Sequence, residues 1–362
     1  MTQTSDLLDE LAEIKPASAL AEARATRSAA TEHTQGSYNI LFSSAGKHFP
    51  LSWRFAIARQ VALWHQTPQL ADHYASQFSQ PADGAGFQLA LAQAETLSFT
   101  PAAAKPGDLH KLREAGWSAD DIVTLSQLVA FVSFQSRLLT GLRLLAGHNV
   151  PRGSHQAVAA AWRTEPETAS GQPAPQTFTQ QELHWEPWLP AKPLNEFNAL
   201  EQATLAKFGH SDSDYFRLLA RNLPLLEQRT LTDKGIFYTA GGLPRAEREL
   251  AAAVASKVNG CIYCASVHAR KASQLSKQTE DVERLIATPP GEALATRQSE
   301  RWQKLIAFSA ALSTTPPNAS REQIDALRDI GLDELQLLDL VQSTAFFAWA
   351  NRLMLTLGEP FE

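Results

Sequence analysis

The chain of 362 residues contains two cysteines, Cys261 and Cys264, and His268 follows them by one helical turn. Positions i, i+3 and i+7 share one face of an α-helix, so this spacing brings two thiols and an imidazole together. A lone close pair of cysteines points to redox or metal chemistry rather than to a structural disulfide. Unpaired N–H groups at a helix start favour a thiolate and are expected to lower its pKa. An imidazole one turn away takes or returns a proton near neutral pH. Glu249, twelve residues before Cys261, is the acid expected to pair with that imidazole. The helix dipole favours Cys261 as nucleophile and the proximity of His268 favours Cys264, so the residues alone leave both open. Tyr263 between them is a packing aromatic or a hydrogen-bond donor into the site. Zinc requires a fourth ligand and usually a second close pair. His184 and His210 are the nearest candidates, neither sits in a ligand cluster, and no metal is expected. Taken singly, each residue has an ordinary alternative. Glu249 lies in a charged RAERE run, His268 precedes RKA, and a CxxC alone is a weak motif.

The elements that position these groups read as two helices. Leu243-Pro244 starts the first, with proline tolerated in the opening turn. Asn259-Gly260 ends it, both residues accepting a left-handed cap. The second begins at or near Cys261, and the tight turn makes the pair pack antiparallel or at an angle. Similar 3.6-residue periodicity runs through 52–65, 118–146, 245–258, 299–313 and 333–357, and convincing strands are missing, so an all-α fold is expected. Between 164 and 198, six prolines (Pro166, Pro173, Pro175, Pro187, Pro190 and Pro193) exclude helix and predict an extended strap. Trp185 and Trp188 are its expected apolar anchors. Before residue 37 a short helix over 7–14 and then a mobile stretch are expected.

The two sides of the strap resemble each other. An offset of 215 pairs Leu125, Gln127, Ala130, Phe131, Arg137 and Leu138 with Leu340, Gln342, Ala345, Phe346, Arg352 and Leu353. An offset of 194 pairs Pro50, Arg54, Ala58 and Ala75 with Pro244, Arg248, Ala252 and Ala269. The difference between the offsets predicts an insertion near 279–298. The expected organisation is an N-terminal tail (1–36), a degenerate helical copy (37–160), the strap (161–200) and a helical domain carrying the cysteines (201–362). Under the second offset, Phe55, Thr67, Leu70 and Tyr74 stand where Glu249, Cys261, Cys264 and His268 stand, so the first copy has no reactive set. His65, His73 and Trp64 lie there without forming a ligand set.

Composition bounds the functional class. Apolar residues make up 44 % and charged residues 19 %, enough for a buried core. A net charge of −6 argues against a nucleic-acid partner. No apolar run approaches the ~18 residues of a membrane helix, and no secretory signal is visible, so a cytoplasmic location without membrane association is expected.

An acid twelve residues before a CxxC, with His four residues after it, resembles the alkylhydroperoxidase AhpD-like family of the carboxymuconolactone decarboxylase superfamily. The similarity extends to its uncharacterised peroxidase-related branch through ELHWEPWLP (182–190), YFRLLARN (215–222) and IFYTAGGLPRAEREL (236–250). It covers roughly 177–357. The resemblance implies an all-helical bundle that oligomerises and reduces peroxides through thiols. Cys264 would take the peroxide oxygen, Cys261 would resolve the sulfenic acid as a disulfide, and Glu249 and His268 would relay protons. No cofactor is implied beyond an external reductant, a dithiol or a thioredoxin-like or lipoyl protein. Tyr263 departs from the best-known members, which carry a second His there. Two other readings stand beside this one: a non-enzymatic redox sensor or stress assembly protein, and a carboxymuconolactone-decarboxylase-like lyase.

Overall fold

A computed structural model describes residues 6–43, 49–79, 82–163 and 165–362. Residues 1–5 and Thr164, the first residue of the expected strap, lie outside them. The chain forms α1 (Leu7–Leu11), α2 (Ala19–Thr26), α3 (Ser28–Leu41), α4 (Leu51–Trp64), α5 (Pro68–Ala75), α6 (Ala85–Phe99), α7 (Pro106–Glu114) and α8 (Ala119–Leu145). After the strap come α9 (Ala199–Lys207), α10 (Asp214–Leu219), α11 (Leu223–Phe237), α12 (Arg245–Asn259), α13 (Ile262–Ser276), α14 (Thr279–Ile286), α15 (Glu300–Ser313), α16 (Arg321–Asp329) and α17 (Glu334–Thr356). The fold is all-α. The extended pairing among the described residues is one antiparallel pair, β1 (His184–Pro187) with β2 (Gly358–Phe361), and an isolated bridge.

Helices α8 and α17 pack along each other at the centre. Each starts at a side-chain cap that satisfies free backbone donors, Ser118 for α8 and Asp333 with Gln336 for α17. Phe134 stacks on Trp349 at 5.6 Å, and the indole N–H of Trp349 donates to Gln127 Oε1 at 2.7 Å. Gly141 permits this approach, because a Cβ there would lie 2.3 Å from Val341. Helix α8 corrects one expectation. By length and mean hydropathy (1.4) it is apolar enough to cross a bilayer, and that window is wholly buried inside the protein. Its Ser, Thr, Gln and Arg side chains break every contiguous apolar run, which hid the average.

The N-terminal segment is also corrected. The short helix expected over 7–14 is there as α1, but in place of a mobile stretch α2 and α3 follow it, and all three pack onto the bundle. Arg24 binds Asp6 and Asp9, and Arg27 binds Asp339 at 2.8 Å and the carbonyls of Ala240 and Gly241. Ala- and Thr-rich composition concealed these buried arginines as ordinary helix-surface charges.

The strap runs in extended form along the second half. Gln180 and Gln181 hydrogen-bond α13 at Ser273 and Ser266. Trp185 and Trp188 anchor it to Met354 O and Glu359 Oε1. The segment expected as an insertion holds α14, tied down by Lys257 Nζ, which donates to Ile286 O and Thr288 O at 2.9 Å.

Contacts recur at the two offsets. Arg54 donates to Phe49 O and Leu41 O, and Arg248 to Leu243 O and Ile236 O. Arg137 donates to Ser133 O within α8 and across to Ser313 O; Arg352 donates to Ala348 O within α17 and across to Ser98 O.

Candidate active site

Helix α12 ends at Gly260, whose φ of +76° is a left-handed cap that a side chain would strain. The chain turns there, Cys261 takes an extended conformation as the N-cap, and α13 begins at Ile262. Both cysteines are free thiols, Cys261 1 % and Cys264 5 % exposed. The two thiols act on each other electrostatically, and Cys261 also feels the side chain of Asn351. Asn351 is held in turn by Asn259 Nδ2 and by its own bond to Ser256 Oγ, each at 3.0 Å. The expectation of a lowered pKa does not hold at Cys261. Burial, and the neighbouring Cys264, push its thiol well up. The helix start is present, and desolvation outweighs it.

Cys264 opens on a cavity of about 170 Å³ shared with Tyr263, His268, Glu249, Arg229 and Asp233. The carboxylate of Glu249 is fully buried between two partners. His268 Nδ1 lies 2.5 Å from Oε2, and Arg245 Nε donates to Oε1 at 2.6 Å. Burial pushes Glu249 up, but His268, Lys271 and Arg245 together outweigh it and hold the carboxyl below its usual value. An ionised Glu249 on Nδ1 leaves the other imidazole nitrogen to exchange protons. The imidazole packs against Phe347 in a T-shaped contact, with ring centroids 4.3 Å apart. Burial raises the Tyr263 phenol and makes it a poorer acid.

Residues 224–289 match the family profile described as "Carboxymuconolactone decarboxylase family". This chain carries a carboxymuconolactone decarboxylase family domain. The domain spans α11 to α14 and contains Glu249, Cys261, Cys264 and His268, the residues on which the sequence resemblance rested. Among solved structures the chain is similar to an uncharacterised peroxidase-related protein from Ralstonia eutropha JMP134, described as an alkylhydroperoxidase AhpD core. Identity is 18 %, over 45 % of this chain and 86 % of that one, with a TM-score of 0.38. It is also similar to an uncharacterised peroxidase-related protein from Silicibacter sp. TM1040, at 20 % identity over 47 % and 92 % of the two chains, with a TM-score of 0.38. No curated protein matches the chain.

The carboxymuconolactone decarboxylase domain thus gathers Glu249, Tyr263, Cys264 and His268 around one cavity, with Cys261 behind Cys264. His184 and His210 lie elsewhere. His210 bonds Thr230 and stacks on Phe216, with its pKa pushed down to about 4 by burial. His184 stacks on Phe361. Sequence reasoning missed Arg245, Asn351, Arg229 and Asp233. Arg245 was legible as the i−4 neighbour of Glu249. The others come from α11 and α17 and had no local signal. A larger cavity of about 650 Å³, lined by Ser98, Trp162, Asn259 and Arg352, holds neither cysteine.

Proposed function

We propose that the chain is a thiol-dependent peroxidase, in which Cys264 is the attacking thiol and Cys261 the resolving one. The observation that carries this reading is the shared cavity: Cys264 and the His268–Glu249 pair line it, and Cys261 does not. The Cys264 thiol gives its proton to His268, whose positive charge Glu249 stabilises. The thiolate attacks the terminal peroxide oxygen. An S–O bond forms, the O–O bond breaks, and an alcohol leaves once its oxygen is protonated. The Cys261 thiol, kept protonated by burial, then attacks the sulfenic acid. A disulfide forms and water leaves. An external dithiol restores both thiols and is itself oxidised to a disulfide.

The first half is read as an inert copy that covers the apolar face of α17. The paired arginine contacts support this reading, and a pairing of halves within one chain would replace the contact of a homodimer. Whole chains are further proposed to associate, at least as dimers; sedimentation at only about 40 kDa at micromolar concentration would refute that.

The direct test is consumption of tert-butyl hydroperoxide with dithiothreitol as donor. Wild type should turn over repeatedly, Cys264→Ser should consume nothing, and Cys261→Ser should complete one turnover and retain a sulfenic acid. A wild-type protein that oxidises once and stops, or not at all, refutes the enzymatic reading.

A further inference from the structure

We propose that Asp233 is a second catalytic acid of this site, donating a proton to the oxygen that leaves the peroxide. The inference rests on the peroxidase reading and extends it to a residue that neither the motif nor the resemblance assigns.

Asp233 lies on α11, one turn beyond Arg229, and reaches the same cavity as Cys264 and His268. Its carboxyl group is half-buried and makes no hydrogen bond or ion pair among the described residues. Glu249, in the same wall, has both oxygens engaged, by Arg245 and His268. Two carboxyl groups therefore face one small cavity, one fully partnered and one free.

Their surroundings drive them apart. Burial raises Asp233, and the negative charge of Glu249 adds to this; Arg229, His268 and Lys271 oppose it without reversing it. Glu249 is shifted down. Neighbouring carboxyl groups with opposite shifts divide into an ionised partner and a proton holder. Glu249 is engaged by the imidazole and by Arg245, and Asp233 is the carboxyl group left unengaged in the cavity to pass a proton. The reaction needs such a group. Attack of the thiolate expels an alkoxide, a strong base, and Tyr263 is the poorer acid after burial. In the balanced step, the S–O bond forms as the O–O bond breaks. The Asp233 proton passes to the departing oxygen, and the proton that His268 took from Cys264 returns to Asp233.

The test varies the leaving group. Tert-butyl hydroperoxide releases an alkoxide that requires a proton, whereas peracetic acid releases acetate, which does not. Asp233→Asn should slow Cys264 oxidation by tert-butyl hydroperoxide at least about tenfold, the low end of what a general acid supplies. Oxidation by peracetic acid and alkylation of Cys264 by iodoacetamide should stay within about twofold of wild type, effects far below that range. Asp233→Glu should recover part of the lost rate. Equal losses with both oxidants, or no loss with either, overturn the role of Asp233 while an active wild type leaves the peroxidase reading standing. A wild-type protein inert to both oxidants overturns the peroxidase reading and this role with it.

Discussion

The two halves of the chain share a set of buried arginine contacts at the two offsets and differ at the positions of the proposed site. In the second half, Cys261 meets Asn351; at the offset positions Thr67 Oγ1 donates to Ser136 Oγ at 3.2 Å. His268 pairs with Glu249, whereas Tyr74 donates to Gln135 at 2.5 Å and Phe55 stacks on Phe42 at 4.7 Å. The buried arginines Arg54 and Arg248, and Arg137 and Arg352, bind matching carbonyls in both. Packing and backbone satisfaction therefore place the helices, and the four side chains at the proposed site are where the halves part. At the counterpart turn Thr67 and Tyr74 bond to neutral partners, Ser136 and Gln135, and no ion pair takes the place of His268 with Glu249.

The largest expected contrast is in activity. Cys264→Ser should remove peroxide consumption entirely. Installing Thr67→Cys and Leu70→Cys in the first half of that variant should not restore it, because Phe55 and Tyr74 supply no base. Restored turnover would show that the cysteines alone suffice.

Stability comes next. Arg248→Met removes donors from four backbone carbonyls and one cationic partner from Asp339, and should cost about 3–5 kcal/mol in urea unfolding. Arg54→Met leaves two carbonyls unpaired and should cost about 1–3 kcal/mol. Equal losses would mean that the loop before α12 is no better anchored than its counterpart.

A pH dependence should separate the halves further. Because Glu249 is held below its ordinary value of 4.5, its ionisation stabilises the folded protein above that pH, and the contribution disappears as pH falls below it. The stability difference between wild type and Glu249→Gln should therefore shrink on acidification, and Phe55→Leu should show no such trend. Glu249→Gln should also slow iodoacetamide alkylation of Cys264. A pH-independent difference would remove Glu249 as an ion.

The smallest effect is expected at Tyr74→Phe, which deletes one buried hydroxyl bond and leaves Gln135 Oε1 unpaired. About 1 kcal/mol should be lost, with peroxide consumption unchanged. Any loss of activity would make the first half more than a framework.

What the sequence revealed followed the range of its signals. The helix pair around Cys261 was legible because Pro244, Gly260 and the i, i+3, i+7 spacing are local statements. Glu249 on His268 was legible once those helices were known to pack. Asn351 and Asp233 were not, since each enters from a helix whose register against α13 is set by packing across the bundle. The lowered thiol pKa expected at Cys261 failed for the same reason: a helix start is visible in sequence, and the depth at which it is buried is not. The stretch after α1 was misread because Arg24 and Arg27 look solvated until Asp6, Asp9 and Asp339 are seen around them.

Arg137 and Arg352 each reach into the opposite half, and both donate to the hydroxyl of Thr315. Each half closes the helix end of the other, at Ser98 and at Ser313, so neither is a finished object alone. A protease cut in the strap should leave two fragments that stay together through gel filtration. The first half carries no cysteine, yet its helices complete the packing of the second, and the two are supplied on one chain in a fixed one-to-one ratio.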